Sequence, residues 1–258
     1  MFSFLKKNTH KIQESKVIIY QDYSDVSRIA RYFKNETGVT FDKQESILKN
    51  KVTTFCKQRE IHSFSNLLEI IEKEAKIKQE LIDYLTTNET FFYREFKQID
   101  ELTKLVKKTS RHVEILCAPS ATGEEPYSIA IALLEAGVSS SSFKILGIDI
   151  NYDAINKAKE AHYRERNVRN LTPDIISKYF THNGEKYLLN ESIKSLVRFQ
   201  LANLFDASFK NIGKFDFVFS RNMLIYFDQE TKIKAKTILE NMRKNDEVGV
   251  FFGHADLF

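Results

Sequence analysis

From Val26 onward, apolar residues recur at helical spacing: Val26, Ile29, Ala30 and Phe33, then beyond Gly38 Leu48, Val52 and Phe55, then beyond Ser63 Phe64, Leu67, Leu68 and Ile71. Each set makes a stripe on one face of an amphipathic helix. The second of these helices is expected over about 42–59. Leu81, Ile82 and Leu85 predict a fourth helix that ends before Thr86. No alternating pattern interrupts the series, so residues 21–86 are expected to form a small all-α domain packed as a bundle. Residues 1–20 mix Lys, Asn and Gln without a period and are expected to be a mobile extension.

After about residue 110 the texture changes. Short apolar runs (Val113–Cys117, Phe143–Ile148, Phe215–Phe219 and Val248–Phe252) alternate with helix-like stretches at 125–137, 151–160 and 230–243. That alternation predicts an α/β domain over residues 87–258, built on a parallel, doubly wound sheet. Tyr187-Leu188-Leu189 and Ser195–Phe199, entered through His182-Asn183-Gly184, read as a small β-subdomain at about 181–200.

Composition narrows the function classes. With 42% hydrophobic and 29% charged residues in 258, the chain is an ordinary globular protein and not a disordered or disulfide-stapled one. Cys56 and Cys117 have no metal-binding or redox spacing, and the apolar stretch at the start is too short for a signal peptide, so a cytoplasmic location is expected. No apolar run reaches the roughly 18–20 residues that cross a bilayer, so direct membrane insertion is not expected. The net charge of +4 is mildly basic and suits an acidic partner.

Candidate chemistry centres on the turn Ala118-Pro119-Ser120-Ala121-Thr122-Gly123-Glu124-Glu125, where the first strand runs into a helix. Ligands of doubly wound sheets bind in the crevice beyond the strand ends. A dinucleotide site would present several glycines and a bare helix N-terminus to its phosphates, whereas this turn has one Gly and two carboxylates. Carboxylates repel phosphate but form charge-assisted hydrogen bonds to a cationic, phosphate-free ligand such as S-adenosylmethionine. Asp149 closes the second strand, where an acid commonly grips ribose hydroxyls. Taken alone, Glu124 and Glu125 could equally complement the helix dipole, and Asp149 could cap the next helix.

Three longer motifs add to this. They are Thr86-Thr87-Asn88-Glu89-Thr90-Phe91-Phe92-Tyr93-Arg94-Glu95, Thr122-Gly123-Glu124-Glu125-Pro126-Tyr127-Ser128, and Phe215-Asp216-Phe217-Val218-Phe219-Ser220-Arg221-Asn222-Met223-Leu224-Ile225-Tyr226-Phe227-Asp228. In this order the chain resembles the bacterial chemotaxis-receptor glutamate O-methyltransferases over residues 24 to 256. The resemblance implies a class I (Rossmann-like) methyltransferase sheet with a small β-subdomain, preceded by helices that dock on the cytoplasmic helical region of the receptor. It implies S-adenosylmethionine as cofactor, S-adenosylhomocysteine as product, no metal and a monomer. Residue by residue, it implies cofactor contacts at Asn88, Thr90, Arg94, Glu125, Asp149, Asn203, Leu204, Arg221 and Asn222. Pro119, Ala121, Tyr93 and the pair Ala255-Asp256 depart from the residues usual in that family. The sequence ends at Phe258, ahead of the final antiparallel strand that family members supply, so either a shorter sheet or a trimmed chain is implied.

Methyl transfer to a glutamate needs no strong base, because the carboxylate is already ionised at neutral pH. Positioning in a dry pocket then dominates, with Arg94 and Tyr226 as the candidate catalytic residues. Arg94 would orient a carboxylate of the acceptor or of the cofactor, and the Tyr226 hydroxyl would help to fix the nucleophile. Between Lys43 and Arg59 the second helix carries Lys43, Lys49, Lys51, Lys57 and Arg59 against Glu45 alone, a basic face that complements a Glu-rich receptor helix. The β-subdomain looks shorter than in members that bind a receptor tail peptide, so no tethering peptide is expected. A nucleic-acid methyltransferase fits less well, since Ser220-Arg221-Asn222-Met223 lacks a Pro-Pro-aromatic signature and no stacking platform is visible. A receptor adaptor that has lost catalysis is the non-enzymatic alternative.

Overall fold

The computed structural model of the protein describes residues 21–256, so the expected extension at 1–20 lies outside the described residues. Helices α1 (Ser27–Thr37), α2 (Glu45–Gln58), α3 (Phe64–Lys73) and α4 (Ala75–Leu85) form the N-terminal bundle. Their apolar stripes meet in a core of their own that includes Ile29, Phe33, Leu48, Phe55, Leu67 and Leu81. Local chemistry sets the ends. Ser63 caps α3 by accepting from the Asn66 N–H at 3.0 Å. Gly38 ends α1 in the left-handed region at φ 77°, where its N–H closes on the Lys34 carbonyl. α2 is shorter than the expected 42–59, which leaves Lys43 and Arg59 flanking it.

The second domain follows in chain order: α5 (Phe96–Lys107), β1 (Val113–Cys117), α6 (Glu124–Glu135), β2 (Phe143–Asp149), α7 (Tyr152–Glu160), β3 (His162–Tyr163), α8 (Glu165–Val168), α9 (Pro173–Tyr179), β4 (Phe180–Asn183), β5 (Lys186–Leu189), α10 (Glu191–Lys194), β6 (Val197–Leu201), β7 (Phe217–Ser220), α11 (Gln229–Glu240) and β8 (Phe251–Phe252). The central sheet has the order β6-β2-β1-β7-β8, with every pair parallel. Val113, Ile115 and Cys117 of β1 face the core under α5 and α6, while Leu116 faces the core under α11. This alternation is what a strand covered on both faces requires. The chain builds outward from β1 through β2 to β6, then reverses to β7 and β8. The crevice therefore opens at the carboxyl ends of β1 and β7.

Two sequence expectations need correction. The β-subdomain is not the stretch 181–200, because β6 joins the central sheet beside β2, Ile145 opposite Val197 through Asp149 opposite Leu201. The small sheet is antiparallel, in the order β3-β5-β4, and so reaches back to His162. It spans more sequence than expected. Residues 96–107, for which no element was expected, form α5, which buries Ile99, Leu102 and Val106 at helical spacing.

The bundle is joined to the sheet at two places. Gln79 of α4 donates to the Ile150 carbonyl at 2.8 Å, and Asn151 donates to the Asp83 carbonyl and the Thr86 hydroxyl. On the other side the α1–α2 turn reaches the segment after β7. Val39 bridges Phe227, Thr40 donates its N–H to the Tyr226 carbonyl at 2.9 Å, and Lys34 pairs with Asp228.

Candidate active site

The turn after β1 is built for close approach. Ala121 and Gly123 both have positive φ, 45° and 94°. A Cβ on Gly123 would lie 3.0–3.1 Å from Ala158, Phe199 and Tyr127, so glycine suits this position on both counts. α6 starts at once, and its first two side chains diverge because successive helical residues point about 100° apart. Glu124 turns inward, accepting from the Thr122 hydroxyl at 2.6 Å and the Asn167 amide at 2.7 Å. Glu125 instead lines a cavity of about 700 Å3 at the carboxyl ends of the strands.

Glu125 and Arg221 form a buried ion pair, 8% and 6% exposed, through Oε2 and Nε. Arg221 Nη1 also donates to the Arg94 carbonyl at 2.8 Å and the Glu95 carbonyl at 3.3 Å. These bonds tie the loop after α4 to the end of β7. Burial pushes the Glu125 carboxyl above its ordinary value, and Arg221 opposes the shift. Oε1 of Glu125 is buried without a hydrogen-bond partner among the described residues. An orphaned acceptor of that kind costs free energy until a donor arrives.

The remaining expected site residues line the same cavity: Asn88, Thr90, Arg94, Asp149, Asn203, Leu204, Asn222 and Tyr226. Asp149 is buried and accepts from the Ala121 and Asn151 N–H groups at 2.8 and 2.9 Å. Burial pushes it up to about 6 in spite of those donors. The Asn203 amide is engaged internally, donating to the Glu36 carbonyl at 2.6 Å and accepting from the Phe205 N–H at 2.9 Å. Arg94 Nη1 donates to the Glu89 carbonyl at 3.0 Å, and the guanidinium lies 5.6 Å from the Phe91 ring centre. Tyr226 is partly exposed, and burial raises its phenol above the usual value, so the hydroxyl keeps its proton and can donate.

Of the expected docking residues, Lys43 and Lys51 line the cavity, whereas Lys49 and Lys57 are exposed away from it. Arg59 does not belong with them. Its guanidinium is taken by Glu80 at 2.9 Å and lies 3.7 Å over the Phe55 ring, which makes it a strut inside the bundle. Sequence reasoning missed the wall supplied by Val39, Thr40 and Ile47, and also Asp256, which holds the Asn222 backbone behind the cavity. The Asp256 carboxylate is buried, accepting from the Asn222 N–H and, at 3.2 Å, from the Gly253 N–H. Asn222 sits at φ 60°, a strained position that these contacts hold. The Thr-Gly-Val-Thr-Phe turn at 37–41 was a visible signal for the first of these. Nothing local points to Asp256.

The pattern defining the family described as "CheR methyltransferase, SAM binding domain" matches residues 88–258. The chain belongs to this family. It is therefore an S-adenosylmethionine-dependent methyltransferase. A "Chemotaxis protein methyltransferase" of Campylobacter jejuni subsp. jejuni is 34% identical over 236 residues, covering 90% of this chain and 88% of the relative. One of Borreliella burgdorferi is 29% identical over 248 residues, covering 90% and 87%. Among solved structures, the methyltransferase domain of bacterial-CtHen1-C covers 57% of this chain and 60% of its own, at 15% identity and a TM-score of 0.35, a likeness too distant to add to the family match.

The cavity suits the family's cofactor on its own chemistry. An ammonium would satisfy the orphaned Glu125 oxygen, Asp149 can accept from ribose hydroxyls, and the volume falls within the roughly 300–1,000 Å3 of small-molecule sites. The two carboxylates at the start of α6 leave no bare helix N-terminus for a phosphate.

Proposed function

We propose that this enzyme methylates glutamate side chains in the cytoplasmic helical region of chemotaxis receptors, giving glutamate methyl esters and S-adenosylhomocysteine for sensory adaptation. One observation carries the reading beyond the relatives' names: Arg94 and Tyr226, a cation and a phenol that keeps its proton, line the same cavity as Glu125. When bound, the cofactor supplies an electrophilic methyl on a sulfonium, which leaves the protein to align the acceptor and keep water out.

In this reading Glu125 holds the cofactor ammonium, and Asp149 holds its ribose. Asn88, Thr90, Leu204 and Asn222 complete the walls. Arg221 acts through Glu125 and the Arg94 backbone and is a positioning residue, because its Nε and Nη1 are spent inside the protein. Arg94, with Nη1 on the Glu89 carbonyl, meets the incoming carboxylate, and the Tyr226 hydroxyl donates to it. Lys43 and Lys51 at the cavity and Lys49 and Lys57 beyond it attract an acidic helix, an effect that salt screens. The test is transfer of labelled methyl to purified receptor cytoplasmic fragments and, separately, to RNA. Base-labile label on the receptor fragment is expected. Label on RNA, base-stable label, or none overturns the reading.

A further inference from the structure

Glu124 opens α6 beside Glu125 but does not line the cavity, and it is 0% exposed. Burying a carboxyl is costly unless its oxygens are matched. Burial pushes Glu124 above its ordinary value, and the donors that oppose the shift are neutral: the Thr122 hydroxyl on Oε2 and the Asn167 amide on Oε1. The charged and titratable groups that face it are Arg166 of α8, which is exposed, and the buried Tyr163 phenol of β3.

Asn167 connects this carboxyl to the loop between α4 and α5. Its side-chain oxygen accepts from the Arg164 N–H at 3.1 Å, which orients the amide so that the nitrogen faces Glu124 at 2.7 Å. The same nitrogen reaches the Thr90 carbonyl at 3.5 Å, and the Asn167 carbonyl accepts from the Phe92 N–H at 2.8 Å. One turn further along α6, the Ser128 hydroxyl accepts from the Tyr93 N–H at 3.0 Å. Phe92 is buried with its ring edge-on to Tyr163 at 4.8 Å, and the Tyr163 hydroxyl donates to the Thr122 carbonyl at 3.0 Å. Tyr93 and Glu95 hold positive φ, 56° and 49°. The loop that brings Thr90 and Arg94 to the cavity therefore takes its shape from contacts outside itself.

Resting on the reading that places Thr90 at the bound cofactor, we propose that Glu124 and Asn167 are positioning residues for the cofactor pocket. The carboxyl holds the Asn167 side chain, and Asn167 holds the 90–92 segment so that Thr90 and Arg94 stay in the cavity wall. The β3–α8 segment is thereby a brace of the pocket as well as part of the small antiparallel subdomain.

The test is the Kd of the full chain for S-adenosylhomocysteine, measured by calorimetry on protein with a native circular dichroism spectrum and compared with wild type at the same pH. Asn167→Asp keeps the acceptor for the Arg164 N–H and replaces the donor to Glu124 by a second carboxyl oxygen. Its Kd is expected to rise about tenfold at about pH 8, and to return towards wild type near pH 5.5 as the two carboxyls take up a shared proton. The exchange Glu124→Gln with Asn167→Asp restores one donor and one acceptor with their roles reversed. It is expected to bind within about threefold of wild type at both pH values. A lowered Tm with a wild-type Kd at pH 8 in Asn167→Asp makes the pair structural only and overturns the proposal. So does an exchange variant that does not fold or binds no better than Asn167→Asp. Should Asn167→Asp not fold, Tyr163→Phe takes its place: losing the bond to Thr122 is expected to raise Kd about fivefold, and an unchanged Kd overturns the brace. A wild-type chain that binds no S-adenosylhomocysteine is a different result and sinks the cofactor site itself.

Discussion

Glu125→Gln keeps the shape of the side chain and removes its charge, which separates two consequences of the buried pair with Arg221. The first is binding. A hydrogen bond to a charged group is worth about 1.5–3 kcal/mol and a neutral one about 0.5–1.5 kcal/mol, so the cofactor ammonium loses about 1–2 kcal/mol. That is about 5- to 30-fold in Kd. The second is stability. Stripping one partner from a buried ion pair costs about 3–5 kcal/mol. Here the Gln oxygen can still accept from Arg221 Nε, and the Arg94 and Glu95 carbonyls still hold Nη1, so the cost sits at or below the low end. A fall in Tm of up to about 10 °C is expected. Titration calorimetry with S-adenosylhomocysteine, which carries the same ammonium, reads the first effect, and thermal unfolding without ligand reads the second. Burial raises the Glu125 carboxyl, so wild-type affinity is highest where it is ionised and falls as pH drops through its raised value. The variant lacks that limb. Wild-type affinity at pH 8 in Glu125→Gln would refute the assignment of the ammonium to this residue.

Asp149 titrates at about 6 in the fold against an ordinary 3.8, a difference of about 3 kcal/mol. This contribution to stability is present in full below 3.8 and is lost as pH rises through about 6. Urea unfolding of the ligand-free protein should show that loss between about pH 4 and 6.5, and Asp149→Asn should flatten it while weakening product binding; an equal slope in the two proteins would count against it. Arg94→Ala should lower kcat by about 10²–10³-fold with an unchanged circular dichroism spectrum, and Tyr226→Phe should be milder. Wild-type turnover in the first would defeat the role given to Arg94. Gly38→Ala places a Cβ against the Phe205 ring and 2.9 Å from the Thr231 methyl, at a φ of +77°. It should cost about 2 kcal/mol in urea unfolding, and no loss would show that the turn is not tightly seated.

The helical stripes and the buried strands were legible because each is a local signal: Val26 through Leu85 repeat at helical spacing, and β1, β2 and β7 are short, mostly apolar runs. β6 was misassigned for a physical reason. It is an edge strand with Val197 buried and its other residues partly or fully exposed, so it looks like a half-solvated hairpin, and only its parallel pairing with β2 places it. Glu124 and Glu125 are indistinguishable as neighbours at a helix start. What separates them is tertiary, Asn167 on one side and Arg221 on the other. The Arg59–Glu80 pair and the seat of Asp256 are likewise contacts between distant segments with no local periodicity to announce them. The three motifs, by contrast, marked most of the cavity wall because each lies at the end of a strand or helix that opens into the crevice.

The α1–α2 turn bridges Phe227 through Val39 and receives the Tyr226 carbonyl through Thr40, while Thr37 to Lys51 contribute one wall of the cavity. The stretch recognised as the cofactor-binding domain is therefore not a self-contained catalytic module. Grafting the helical bundle of one family member onto the sheet of another would redraw the pocket as well as the docking face. A chimera meant to change receptor preference has to carry its 37–42 turn together with the 226–228 segment it grips, because the two were fitted to each other as one piece.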